Sequence, residues 1–168
     1  MQYKIIDNFL PEEQFKGLYN LITNPTNFNW FLNQSVATEK DNNKNHFYFT
    51  HVFYDESVPY SDHFKELRPV WDALEKHNHK LKGLLRSKCN LYPKTHTVEE
   101  HEMHKDFPFE HKGGLFSLNT CNGYTLLEDG TKINSIANRM LIFDASKNHA
   151  STTCSNENIR LNINFNFF

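Results

Sequence analysis

The second half of the chain carries metal-binding residue types at a spacing that could build one site. His104 and Asp106 stand two positions apart in His104-Lys105-Asp106, and side chains two apart on an extended strand project to the same side. His149 comes much later, and Arg160 follows it after ten intervening residues. Two neutral imidazoles and one carboxylate on one face of a metal leave coordination positions open and place a single negative charge on the protein side. That donor set suits Fe(II) that must also take O2 and a chelating co-substrate. Arg160 belongs to a run in which Ile159, Leu161, Ile163, Phe165 and Phe167 alternate with Arg160, Asn162, Asn164 and Asn166. One face of such a strand packs on a core, and the other looks into something polar. There a planar guanidinium matches a carboxylate in two parallel hydrogen bonds.

The elements that must position these groups follow from periodicity. Tyr3 to Asp7 reads as a short strand. Pro11-Glu12-Glu13 opens a helix whose Phe15, Leu18, Tyr19 and Ile22 form an apolar stripe, stopped by Asn24-Pro25. Phe28 to Phe31 and Phe47 to Tyr54 are β-favouring runs, separated by a polar loop from Thr38 to Asn45 that is expected to be mobile. A second helix is expected from Ser61 to about His77, with Phe64, Leu67, Trp71 and Leu74 on its apolar side and a kink at Pro69. From Leu84 the chain turns β-rich: Ser87 to Tyr92, Leu115 to Thr120, a hairpin of Tyr124 to Glu128 with Lys132 to Ile136 closed by Asp129-Gly130, Arg139 to Asp144, and Ile159 to Phe168. Two helices followed by many antiparallel strands predict an α+β fold, a barrel or sandwich with the N-terminal helices packed on one side. The whole chain, 1–168, reads as one domain.

From Ser87 to Phe168 the chain resembles the double-stranded β-helix (jelly-roll) core of Fe(II)/2-oxoglutarate-dependent oxygenases. It is most similar to prolyl-4-hydroxylase-like members, especially the short phage-encoded ones. The resemblance rests on Asn90-Leu91-Tyr92-Pro93, His104-Lys105-Asp106-Phe107-Pro108, Leu118-Asn119-Thr120, Gly123-Tyr124-Thr125, Asn138-Arg139, Phe143, His149 and Arg160-Leu161-Asn162-Ile163-Asn164-Phe165. It implies a core over about 84–168, His104, Asp106 and His149 as Fe(II) ligands, and Arg160 on the distal carboxylate of 2-oxoglutarate. Tyr92 matches a Tyr that several members point at the co-substrate, and Asn90 with Asn162 resembles the clamp of the nucleic-acid-dealkylating branch. That branch carries a second Arg six residues after the first, where this chain has Asn166. The implied activity is a dioxygenase that decarboxylates 2-oxoglutarate to succinate and hydroxylates a peptide, an amino-acid side chain or a small metabolite. The alternatives are a demethylase of the same superfamily and a non-catalytic metal-binding jelly roll.

Composition narrows the rivals. With 18 Lys and Arg against 20 Asp and Glu, net charge −2 and no basic stripe, bulk electrostatic attraction to nucleic acid is not expected. No segment reaches the roughly 20 apolar residues of a membrane span, and the first residues lack the apolar stretch of a signal peptide. Cys89, Cys121 and Cys154 are odd in number and widely spaced, which fits buried thiols in a reducing cytoplasm. His101-Glu102 begins the helical zinc pattern, but Lys105 stands where the second His would be. His96 and His111 are candidates for the rim of the site, as is Phe107-Pro108-Phe109. Asn148 and Ser151 flank His149 and are candidate partners for its ring, though the polarity of a loop explains them equally well. His46, His51, His63, His77 and His79 show no partner pattern.

Overall fold

The computed structural model describes residues 3–37, 46–77, 79 and 81–168. In chain order the elements are β1 (Tyr3–Ile6), α1 (Glu12–Ile22), β2 (Phe31–Asn33), β3 (Tyr48–Asp55), β4 (Val58–Pro59), a 3-10 turn (Asp62–Leu67), α2 (Arg68–Lys76) and β5 (Leu84–Pro93). There follow β6 (Lys112–Ser117), β7 (Tyr124–Leu127), β8 (Lys132–Asn134), β9 (Arg139–Asp144), β10 (His149–Ala150) and β11 (Ile159–Phe167). An eight-stranded antiparallel sheet runs β1-β9-β6-β11-β5-β3-β2 with β4 beside β3, and a smaller sheet runs β10-β7-β8. This is the expected α+β jelly roll, and its major sheet draws β1 to β4 from before residue 84.

The alternation read in the last strand decides which way β11 faces. Leu161, Ile163, Phe165 and Phe167 are fully buried and join Leu18 and Ile22 of α1 and Val70 and Leu74 of α2 in one apolar cluster. Both helices therefore cover the same outer face of the major sheet. Full burial contributes about 1.5–3 kcal/mol for each such side chain. Gly114 of β6 lies directly under the Phe165 ring, and a Cβ there would sit 2.2 Å from it. Glycine is depleted in strands, so this pair of glycines (Gly113-Gly114) hides from a propensity reading a strand that ring packing requires.

Several expectations shift for local reasons. Phe28 is buried in a packed turn against His51 and Phe53, and the strand begins only at Phe31. Strand β6 ends at Ser117 rather than Thr120, because the Asn119 side chain takes over the ladder, accepting from Leu161 N (2.8 Å) and donating to Ile159 O (2.8 Å). Pro69 does not kink a helix. It lies in the first turn of α2, where its missing N–H costs nothing, and a 3-10 turn precedes it. The hairpin at Asp129-Gly130 is present, with Gly130 at φ +85° and Thr131 N bonded to Asp129 Oδ1 at 3.0 Å. The segment from Thr38 to Asn45 lies outside the described residues. No helix among the described residues is long and apolar enough to cross a membrane.

Candidate metal centre

His104 and Asp106 do not share a regular strand. His104 forms an isolated antiparallel bridge with His149 of β10, exchanging both backbone hydrogen bonds at 3.0 and 2.9 Å, and Asp106 N donates to Ala145 O at 3.2 Å. Backbone pairing, rather than strand alternation, brings the three side chains to one point. His104 Nδ1 lies 3.2 Å from Glu102 O and His149 Nδ1 lies 3.0 Å from Lys147 O. A carbonyl only accepts, so each Nδ1 carries the proton and each Nε2 keeps its lone pair. Those Nε2 atoms lie 4.0 Å and 3.6 Å from the Asp106 carboxylate, and one ligand atom from each of the three residues lies within 4.8 Å of the others. Asn148 and Ser151, the candidate partners of His149, do not orient it. Asn148 donates to Glu128 and Ser151 pairs with His101, so the Lys147 carbonyl sets the imidazole instead.

Asp106 is held from behind by two strands. Arg86 of β5 donates to Oδ1 at 2.9 Å and Asn166 of β11 donates to Oδ2 at 2.8 Å. Burial alone would raise its pKa, but the charges of His149 and Arg86 and the Asn166 hydrogen bond outweigh that and hold it at about 2. Burial, reinforced by His149, pushes the His104 pKa down against the pull of Asp106. The donor set is thus two basic imidazole nitrogens and an ionised carboxylate.

Arg160 lies at the other end of the same pocket, which is lined in part by Tyr92, His104, Asp106, His149, Arg160 and Asn162. It is 1% exposed, donates to Thr152 O and Thr125 Oγ1 at 3.0 Å each, and leaves its Nε without a partner. Among the described residues no carboxylate pairs with it. Gly123 makes room for the side chain, since a Cβ there would meet Arg160 Cδ at 2.7 Å and Thr153 O at 2.6 Å. The Tyr92 ring lies with its centroid 5.8 Å from the guanidinium carbon. Asn90 donates to Asn162 Oδ1 at 3.0 Å, leaving Asn90 Oδ1 and Asn162 Nδ2 buried and unpaired.

Sequence reasoning missed the other half of this polar face. Arg86 and Lys88 alternate with the buried Ser87 and Cys89 just as Asn90 and Tyr92 do, and each faces a polar residue of β11 in register: Arg86 with Asn166, Lys88 with Asn164, Asn90 with Asn162 and Tyr92 with Arg160. The period-two pattern in 86–92 was the available signal. Arg86 brings a guanidinium from the neighbouring strand to the point where β11 carries Asn166. His101 is buried, its ring beside Tyr92. His111 is buried away from the pocket lining and His96 is exposed on a loop.

No family model matches the chain, and no curated protein matches it in sequence. Solved structures do match in fold. A prolyl hydroxylase from Trichoplax adhaerens, in complex with a hypoxia inducible factor peptide fragment, superimposes with TM-score 0.70 at 16% identity, over 99% of this chain and 83% of that one. A 2-oxoglutarate-Fe(II) oxygenase family oxidoreductase from Burkholderia pseudomallei gives TM-score 0.72 at 11% identity, over 98% and 84%. The viral collagen prolyl hydroxylase of Paramecium bursaria Chlorella virus-1, in its 2-oxoglutarate complex, gives 0.62 at 13%, over 99% and 95%. The fold is therefore the jelly roll of the prolyl hydroxylases and other 2-oxoglutarate-Fe(II) oxygenases.

Proposed function

We propose that this chain is an Fe(II)- and 2-oxoglutarate-dependent dioxygenase. It hydroxylates a peptide, an amino-acid side chain or a small metabolite, and 2-oxoglutarate is decarboxylated to succinate. One observation carries the reading: a three-donor metal cluster and a buried guanidinium without a carboxylate partner among the described residues share a single pocket. A metal site that served structure alone would have no use for that guanidinium. The peptide held by the Trichoplax enzyme and the 2-oxoglutarate of the viral one, both on this fold, support the same substrate and co-substrate classes here.

The residues present fit the groups they would hold. His104, Asp106 and His149 would hold the iron, with hydrogens fixed on Nδ1 and the carboxylate ionised, so neutral pH leaves no proton to displace from the carboxylate. Arg160 would take the distal carboxylate of 2-oxoglutarate, with Tyr92 beside it and the spare Asn162 donor between the two ends. Iron with 2-oxoglutarate bound supplies O2 activation and the oxidation of the C–H bond. The chain contributes orientation and dryness: Arg86 and Asn166 fix the carboxylate, and Phe143 packs edge-on against the His149 ring and shields it from water.

Anaerobic addition of Fe(II) and then 2-oxoglutarate to metal-free protein tests this directly. A weak visible charge-transfer band from keto-acid chelation is expected in the wild type, and its loss in Asp106→Ala and His149→Ala variants that remain folded. A folded, iron-binding wild type that shows no band would refute the reading.

A further inference from the structure

We propose that Lys88 selects the substrate, and that this substrate carries a carboxylate close to the C–H bond to be oxidised. The inference rests on the dioxygenase reading of the same pocket.

Lys88, Asn90 and Tyr92 of β5 line that pocket, with Arg86 on the same face of the strand behind Asp106, and three of these four side chains have hydrogen-bond partners. Arg86 holds Asp106 and Asn166, Asn90 holds Asn162, and the Tyr92 hydroxyl is hydrogen-bonded with Ser151. Lys88 is the exception. Among the described residues it forms no hydrogen bond and no ion pair, and its Nζ stands 5.8 Å from the centroid of the Tyr48 ring, at the outer limit of a cation–π contact. Among the described residues Asp106 is the only acid that lines the pocket, and both of its oxygens already accept from Arg86 and Asn166. Burial, with Arg86 nearby, pushes the Lys88 pKa down to about 8, so the amine is still charged at neutral pH. A half-buried ammonium without a counter-ion is costly unless a ligand supplies one.

Its position separates it from the co-substrate clamp. Arg160 pairs in register with Tyr92 at one end of β5, whereas Lys88 pairs with Asn164, next to the Arg86–Asn166 rung that holds Asp106. The hydrogen-bonded Asn90–Asn162 pair stands between the two cations. Charge points the same way. With a divalent metal and a dianionic keto acid bound, their charges would cancel and Asp106 would offset one guanidinium, leaving a net excess of two positive charges among Arg86, Lys88 and Arg160 for the described residues of the site. A substrate anion at Lys88 reduces that excess, and a cavity of about 40 Å³ favours a flat carboxylate over a bulkier tetrahedral anion.

The test uses protein loaded anaerobically with Fe(II) and 2-oxoglutarate, in wild-type, Lys88→Met, Lys88→Arg and Arg160→Met forms. Band titration gives 2-oxoglutarate affinity, and calorimetry gives binding of N-acetyl methylamides of Asp and Glu beside their Asn and Gln twins and a phosphoserine analogue. The acids are expected to bind wild type and Lys88→Arg about ten-fold more tightly than the amides. Lys88→Met should erase that preference yet hold 2-oxoglutarate within about two-fold of wild type, while Arg160→Met loses it. A wild type that shows the band but no acid preference overturns the proposal alone, as does tighter binding of the phosphoserine analogue. Loss of 2-oxoglutarate from Lys88→Met assigns the residue to the co-substrate and also overturns it. A wild type without the band overturns the underlying reading, and the proposal falls with it.

Discussion

The two faces of β11 are built from alternate residues of one strand, yet they obey different physics. Outward, Leu161, Ile163, Phe165 and Phe167 are fully buried among helix side chains and serve by filling volume. Inward, Arg160, Asn162 and Asn166 are equally buried, but they carry polar atoms, and the fold satisfies those of Arg160 and Asn162 only in part. Arg160 Nε and Asn162 Nδ2 have no partner, whereas Asn166 is used up in orienting Asp106. An apolar face is finished when the chain folds. The polar face keeps unpaired donors after the chain has folded. Stability should therefore reside on one side of the strand and ligand recognition on the other.

The sharpest way to break that contrast is to cut one residue from each face. Phe165→Ala should lower unfolding free energy by about 3–5 kcal/mol in urea titration, while the fraction that stays folded binds 2-oxoglutarate as before. On the inner face, Arg160→Met should weaken 2-oxoglutarate binding by the ~2–5 kcal/mol typical of breaking a buried charge pair. It should not lower the urea midpoint, because it removes a cation whose burial is uncompensated in the ligand-free protein. A midpoint that falls as far as that of Phe165→Ala would mean that Arg160 is a structural brace.

A smaller effect sharpens the comparison through pH. Burial, with the charges of His46 and Arg160 nearby, pushes the His101 pKa down to about 3. In the unfolded chain this imidazole takes up a proton as pH falls through about 6.5, but in the folded protein it resists until about 3. Its contribution is complete above pH 6.5 and drains as pH falls toward 3, by at most about 1.4 kcal/mol per pH unit. Urea titrations of wild type and His101→Asn across that range should converge at the acid end. Parallel curves would show that the inner wall is already open to water.

How much of this was legible in the sequence depends on whether a residue's partner lies along the chain or across it. The alternation from Ile159 to Phe167 was readable because period two is intrinsic to a strand, and so was the hairpin at Asp129-Gly130. The metal-ligand candidates were readable by residue type and order, and the structure brings all three together with Arg160. Their means of assembly was not readable. Lys147 and Glu102 orient the imidazoles through backbone carbonyls, which carry no side-chain signature, so Asn148 and Ser151 drew attention that belonged to the main chain. Arg86 and Lys88 matter because β5 lies beside β11 in a particular register, and register is set by the whole sheet. Pro69 misled for a related reason, since whether a proline kinks a helix or starts one depends on where the helix begins.

The rung that joins His104 to His149 has a further consequence. With both main-chain bonds exchanged across it, the separation of the two imidazoles is written into the backbone before any ion arrives. On the proposed reading, a divalent ion would meet a tridentate site whose main-chain spacing is already set. Exchange of such an ion would need no refolding, and the same donors would then also accept nickel, cobalt or zinc. The ion carried by a purified sample would then record the metals of its medium, and reconstitution under anaerobic conditions, rather than isolation, would decide what the centre can do.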